Sequence, residues 1–345
     1  MGKVSKKLLT EASYLTGRYY LPPEYLSIIL TYKCNFKCQM CNSWQFGDDN
    51  ELSKKEWLQV VKDLNITLPK NTFVEISGGE PLIKKDLLFY LIKNLKEHFF
   101  KVTINSNGSL IDKTTIEEFE KLNLNCIKIS LYSLDENIHN QLRGTSIAYA
   151  NAIKAIQLIS TSRIKLEIGI LITSKNISDI PKLIEYLLQF DNISIILQPL
   201  DEIVYSPESK NIKKTVLPNN LWPDKKEVIK LFNDLDKNAS KIKNTLSHLQ
   251  AIKRYYLNPK SALSQRCFAG QRNLIISPNG DVSFCFKHKK VGNLKNNTLR
   301  EILKNKAIDG RKEIKNCQKY CRILGCLYSR SFSEFFRDKI FIKLK

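Results

Sequence analysis

Cys34-Asn35-Phe36-Lys37-Cys38-Gln39-Met40-Cys41 comes two residues after the apolar run Leu26-Ser27-Ile28-Ile29-Leu30-Thr31, and the two together decide how the chain is read. Three thiols in one short loop wrap a metal readily, because thiolate is a soft ligand. Three is the informative number. A cubane cluster carries four irons, so three cysteines leave one iron open to a non-protein ligand, whereas structural zinc and closed electron-transfer clusters take four protein ligands. The C-x3-C-x2-C spacing therefore predicts a reactive iron at the end of a strand. A structural zinc site is the other reading of the spacing taken alone.

Outward from the loop, the chain alternates. Strand-like runs at 26–31, 72–77, 101–106, 126–132, 164–172 and 193–198 interleave with helix-like stretches at 53–64, 84–98, 112–122, 147–161 and 178–190. This pattern predicts an α/β fold of right-handed crossover units on a parallel sheet, with sites at the carboxyl ends of the strands. At one such end, Thr72-Phe73-Val74-Glu75-Ile76-Ser77 runs into Gly78-Gly79-Glu80-Pro81. Paired glycines let backbone approach a ligand closely, and Glu80 offers an acceptor to an ammonium group.

With both motifs in view, the chain resembles the radical S-adenosylmethionine (SAM) superfamily, whose signature is C-x3-C-x2-C after the first barrel strand and a GGEP-type motif after the second. Both are intact, and the resemblance covers roughly residues 24–200. It implies a partial (β/α)6 TIM-like barrel in which Cys34, Cys38 and Cys41 hold a [4Fe-4S] cluster and SAM chelates the open iron. Backbone at Gly78 and Gly79 and the region of Glu80 would receive the methionyl ammonium. Asn105-Ser106-Asn107-Gly108, after the third strand, forms a turn able to present amide or hydroxyl groups to the ribose, the alternative being an ordinary turn. Ser130 and Arg143 are similar to the family pattern of a serine and an arginine on the cofactor, and the planar guanidinium fork suits a carboxylate. Asp135 opens a helix-like segment and suits a cap. The sixth strand ends at Leu197-Gln198-Pro199, an edge placed to touch adenine. The chemistry implied is reductive cleavage of SAM to a 5′-deoxyadenosyl radical, which abstracts hydrogen from a peptide, a sugar or another polar substrate. An electron donor such as flavodoxin or ferredoxin goes with it.

A second cysteine set lies toward the carboxyl end: Cys267, Cys285, Cys317, Cys321 and Cys326. Pro278-Asn279-Gly280 between apolar alternating runs predicts a hairpin that fixes Cys285 beside its partners. This region resembles the SPASM or twitch extensions of radical SAM enzymes, and Gly280 to Cys285 supplies their G-x4-C element. A full SPASM extension has seven cysteines for two auxiliary clusters, so five imply one auxiliary [4Fe-4S] cluster. Cys267, Cys285, Cys317 and Cys321 are the expected ligands, with Cys326 as the substitute and a zinc ribbon as the bland alternative. Cys126 stands apart in an apolar run and reads as a core residue.

The remaining composition sets limits. Of 345 residues, 43% are hydrophobic and 26% charged, which suits a globular chain with a sizeable core. No apolar run is long enough to span a bilayer, and the lysine-rich start lacks a signal-peptide core, so a cytoplasmic protein is expected. Lys and Arg outnumber Asp and Glu by 55 to 34, a net charge of +21. That field attracts anionic substrates, nucleic acid or membrane surfaces, although biased composition accounts for it equally well. The four histidines form no cluster. The expected organisation is an amino-terminal helical extension (1–23), the core barrel (24–199), a linker and a lysine-rich helix from about 224 to 257 completing the core (200–260), the auxiliary-cluster module (261–330) and a basic amphipathic tail (331–345). For the two end segments, packing on the domain is the first reading and peripheral membrane contact the second. A non-catalytic iron-sulfur or zinc module gripping nucleic acid is the runner-up for the whole chain, and nucleic acid is not the expected partner.

Overall fold

On each of the six predicted strands, one set of alternate residues is apolar, and the fold packs that set under helices. The computed structural model describes residues 3–18, 20–46, 50–98, 100–201, 203–204, 215–216, 219–235 and 242–323, so the expectations for Cys326 and for the tail from Ser331 lie outside the described residues. Helix α1 (Lys3–Thr16) leads into β1 (Tyr25–Thr31), α2 (Lys54–Thr67), β2 (Phe73–Gly78), α3 (Lys85–Glu97), β3 (Lys101–Ser106), α4 (Lys113–Lys121) and β4 (Cys126–Ser130). Then come α5 (Glu136–Arg143), α6 (Ala148–Ser160), β5 (Lys165–Leu171), α7 (Ile180–Leu187) and β6 (Ile193–Gln198). A short pair, β7 (Ile203–Val204) and β8 (Thr215–Val216), precedes α8 (Lys225–Leu235) and α9 (Leu246–Leu257). The chain continues through β9 (Asn273–Ile276), β10 (Asp281–Ser283), β11 (Gly292–Asn293), α10 (Leu299–Glu301) and α11 (Ala307–Lys315).

The main sheet is open, in the order β11-β10-β9-β1-β2-β3-β4-β5-β6. From β1 to β6 every pairing is parallel. Helix α2 turns Trp57, Val60, Val61 and Leu64 onto one stripe, and α3 does so with Leu88, Leu91, Ile92 and Leu95. These meet Leu26, Ile28, Val74, Ile76, Ile104, Ile127 and Ile168 from the strands in one core. Registers place Ser27, Glu75, Thr103, Asn105, Lys128, Ser130, Glu167 and Gly169 on the opposite face. That face gathers the polar and charged side chains of the central strands, as the floor of a ligand site does.

Two features differ from the sequence reading. The helix expected from about 224 to 257 is two helices, α8 and α9, because Thr245 caps a new start by accepting from the His248 N–H. Just before it, the Lys243 N–H donates to the Ile195 oxygen at 2.7 Å, and the Asn244 amide bonds both backbone groups of Leu197. Residues 242–244 thus line the outer edge of β6. The second difference is that the carboxyl-terminal hairpin continues the main sheet. Strand β9 pairs in parallel with β1, and β10 turns back on it. The turn is the predicted one, with Gly280 at φ +87° and the Ser277 N–H donating to the Asp281 oxygen at 2.9 Å.

Further ties hold the hairpin in place. The Leu52 N–H donates to the Pro278 oxygen at 2.7 Å, and the Leu299 N–H to Asp63 Oδ2 at 2.5 Å. Helix α1 packs on this carboxyl-terminal module: the Tyr14 and Phe268 rings lie 5.0 Å apart, and Arg266 pairs with Glu11 at 2.6 Å. Among the described residues, no helix is long and apolar enough to cross a membrane.

Candidate active site and metal centres

The chain leaving β1 is gripped by the end of β2. Gly79 N–H donates to the Thr31 oxygen and Glu80 N–H to the Lys33 oxygen, each at 2.8 Å. A β-carbon on Gly78 would lie 2.2 Å from the Thr31 oxygen, and one on Gly79 2.0 Å from the Lys33 oxygen, so only glycine admits this approach. Glu80 turns inward and is wholly buried. Its carboxylate accepts from Leu82 N–H at 3.1 Å, Ser106 Oγ at 3.0 Å and Asn107 N–H at 2.7 Å. Burial pushes its pKa up, against the pull of those donors. The acceptor foreseen at Glu80 is thus engaged in tying the end of β2 to the loop after β3.

Other elements brace the cysteine loop. Asn107 Nδ2 donates to Asn35 Oδ1 at 2.8 Å, and Gln39 N–H to the Leu142 oxygen at 3.0 Å. Asp135 caps α5, and Gly144 ends it at φ +70°, where a β-carbon would sit 2.1 Å from the Lys37 oxygen. Helix α5 delivers Arg143 beneath the loop. Its guanidinium lies over Phe36 at 5.6 Å and Tyr132 at 5.3 Å and donates to Tyr132 Oη at 3.1 Å. Burial opposes its charge, but the Tyr132 hydroxyl and the Cys38 and Cys34 thiols hold its pKa above the ordinary value. Its Nε is buried with no partner among the described atoms, a donor left for a ligand. Burial chiefly pushes the Cys34 thiol up to about 11.

Asn105 and Ser130 share the polar face, opposite Lys128 and Gly169 respectively. Leu197 is fully buried, with both backbone groups engaged by Asn244.

The second set converges. Cys267, Cys285, Cys317 and Cys321 line one pocket, with Lys287, His288 and Arg322 among its other walls. Backbone N–H groups two residues on point at the sulfurs: Lys287 on Cys285 at 3.4 Å, Lys319 on Cys317 at 3.5 Å, and Ala269 on Cys267. Phe36 on Cys34 and Ser43 on Cys41 repeat this arrangement in the first loop, at 3.4 and 3.5 Å. Burial chiefly pushes Cys267 and Cys321 up to about 12, whereas at Cys317 burial is outweighed by a hydrogen bond from His288 and by the backbone and charge of Lys319, which hold the thiol below its ordinary value. Among the described residues, no three donors close on a single-ion site. Four sulfurs spread around a cavity suit a cluster, whose irons take one thiolate each, better than a zinc held at about 2.3 Å by all four. Cys126 lies on β4, away from both sets, and its thiol is pushed up to about 11, chiefly by burial.

Residues 28–187 match the model of the radical SAM superfamily, and residues 267–327 match SPASM, an iron-sulfur cluster-binding domain. The chain is a radical SAM enzyme. Its radical SAM domain implies a [4Fe-4S] cluster and SAM, and its SPASM domain implies auxiliary iron-sulfur binding. It is 28% identical over 242 residues to a protein of Sulfurisphaera tokodaii named "Probable GTP 3',8-cyclase", covering 68% of this chain and 70% of that one. The radical SAM fold is shared with anSMEcpe bound to AdoMet, at a TM-score of 0.66 and 18% identity over 93% of this chain and 98% of that one. It is shared too with Streptococcus suis SuiB bound to its precursor peptide SuiA, at 0.64 and 20% over 89% and 70%.

Sequence reasoning passed over three residues on the floor of the radical SAM domain: Glu75, Lys128 and Glu167. The available signal was a charged residue inside each of three apolar strands, at positions that alternation places on one face.

Proposed function

We propose that the enzyme binds SAM across the carboxyl ends of β1 to β6 and uses its cleavage to oxidise a peptide. The observation that carries the reading is the unequal pair of cysteine sets on one sheet. Cys34, Cys38 and Cys41 are one thiolate short of closing a cluster, while Cys267, Cys285, Cys317 and Cys321 are enough to close theirs. The first cluster, when bound, supplies the electron that cleaves the sulfonium.

The protein's own residues do the rest. Carbonyls at Gly78 and Gly79, held in place through Glu80, take the methionyl ammonium. Arg143 turns its unpartnered Nε toward the carboxylate, Asn105 and Ser130 face the ribose, and the β6 end borders the adenine through Gln198, since Leu197 is buried under the helices with both backbone groups engaged. Four thiolates at the second site leave no iron for a substrate to ligate, which favours acceptance of an electron from the substrate over substrate binding. A peptide substrate is supported by the neighbours solved with peptides, SuiB with SuiA and anSMEcpe with Cp18Cys. A nucleotide is the second reading, favoured by the cyclase relative. The net charge of +21 favours an acidic electron donor such as flavodoxin or ferredoxin, and the exposed chemistry favours a reducing cytoplasm.

Anaerobic reconstitution followed by reduction with SAM is the test. Wild type is expected to form 5′-deoxyadenosine, Cys34→Ala to form none, and Cys317→Ala to form it without oxidising peptide. Absence of deoxyadenosine from cluster-loaded wild type would overturn the reading. Product from GTP, but from no peptide, would select the nucleotide.

A further inference from the structure

The polar floor carries a charge network that the chemistry proposed above leaves unused. Lys128 on β4 reaches across β3 to Glu75 on β2 and sideways to Glu167 on β5, at 3.0 Å from each. Lys243 closes on the other oxygen of Glu167. The side chains of Glu75, Lys128 and Glu167 are 14%, 17% and 2% exposed. Despite burial, Lys128 holds the Glu75 carboxyl below its usual range, and the two carboxylates hold Lys128 above its own. A buried network of this kind adds little net stability over apolar residues of the same size. What it fixes is geometry.

The group it fixes is Asn105. Glu75 stands diagonally from Asn105 on the same face, an acceptor within reach of its amide. An ionised carboxylate only accepts, so the amide must turn its NH2 toward Glu75. The Asn105 Oδ1 is then on the far edge, and it is buried with no partner among the described atoms. Glu75 lies opposite Thr103, two residues nearer the amino end of the same face. The far edge therefore faces the carboxyl end of the strands, where Ser130 and the cysteine loop stand.

We propose that Glu75, braced by Lys128 and Glu167, is a positioning residue that locks the Asn105 amide with its oxygen toward a SAM ribose hydroxyl. This rests on the reading that Asn105 faces the cofactor. The test measures the dissociation constant for SAM, without reductant, on anaerobically reconstituted protein, beside the melting temperature of each variant. Asn105→Ala is expected to weaken binding about tenfold, the scale of one lost hydrogen bond. Glu75→Gln is expected to match it, since the new amide keeps its oxygen on Lys128, turns its NH2 to Asn105 and forces that amide over. In Glu75→Gln with Asn105→Asp, the new carboxylate accepts from the new amide and again presents oxygen upward, so affinity returns to within about threefold of wild type. If Asn105→Ala binds SAM normally, the placement of Asn105 fails and the positioning role with it. If Asn105→Ala weakens binding and Glu75→Gln does not, Asn105 keeps its place and the positioning role is overturned. Loss in Glu75→Gln that the double variant leaves unrepaired, with melting temperatures lowered alike, assigns the network a structural role instead.

Discussion

A methyl group at position 79 has nowhere to go, because the Lys33 oxygen already stands 2.0 Å from where it would sit. Gly79→Ala is therefore expected to push the base of the cysteine loop away from β2, at a cost of about 1–3 kcal/mol in stability. Iron content after reconstitution should fall with the melting temperature, and retention of full iron would show that the loop tolerates the shift. His139 provides a second residue-scale prediction. Burial, reinforced by the charge of Arg143, pushes its pKa down to about 3, and its Nδ1 accepts from the Tyr132 N–H at 3.1 Å. The unfolded chain takes up that proton near 6.5, so the contribution is complete above 6.5 and is lost as pH falls from there toward 3. The urea midpoint of cluster-free protein should drop between about pH 7.5 and about pH 5.5, and drop less in His139→Gln. Arg143 was named through the family pattern, since on its own it reads as a surface ion pair. The sequence could not name Phe36 and Tyr132 as the rings beside it, because tertiary folding, not spacing, brings the three together.

Long elements were legible because their periodicity repeats. Helix α2 shows why: four buried residues recur at helical spacing behind a reciprocal capping box, in which Ser53 accepts from the Glu56 N–H and Glu56 accepts from Ser53. Ser53→Ala should cost about 1 kcal/mol, read from the urea midpoint at unchanged slope. Helix α5 was legible only through its cap, Asp135, which opens a helix-like segment. Its eight residues hold too few apolar positions to set a period. The break between α8 and α9 was hidden for the opposite reason, since a polar, lysine-rich stretch offers little contrast between faces.

At the scale of the whole molecule, the order of units was readable from alternation, whereas the joining of the carboxyl-terminal hairpin to β1 was not. Pairing partners distant in sequence leave no periodic trace, and Asn273 to Ile276 find β1 only when the sheet assembles. The two family segments are consequently not separable bodies. Truncation after residue 260 would strip β9 from β1 and leave the apolar strand Leu26-Ser27-Ile28-Ile29-Leu30 as a bare edge. The truncated protein is expected to be insoluble or to lose its near-ultraviolet dichroism. A soluble fragment with cooperative unfolding would instead show that the core stands alone.

Strand β1 ends in the three-cysteine loop, and its neighbour β9 turns into the strand that leads to Cys285. Because β10 runs back along β9, Cys285 returns to the amino end of β1, and the two metal-binding sets hang from opposite ends of neighbouring strands in a single sheet. In a hinged enzyme, the gap an electron must tunnel would breathe with domain motion. In this one, the strands that carry the two sets share one hydrogen-bond register, so their separation is expected to hold steady as substrate arrives.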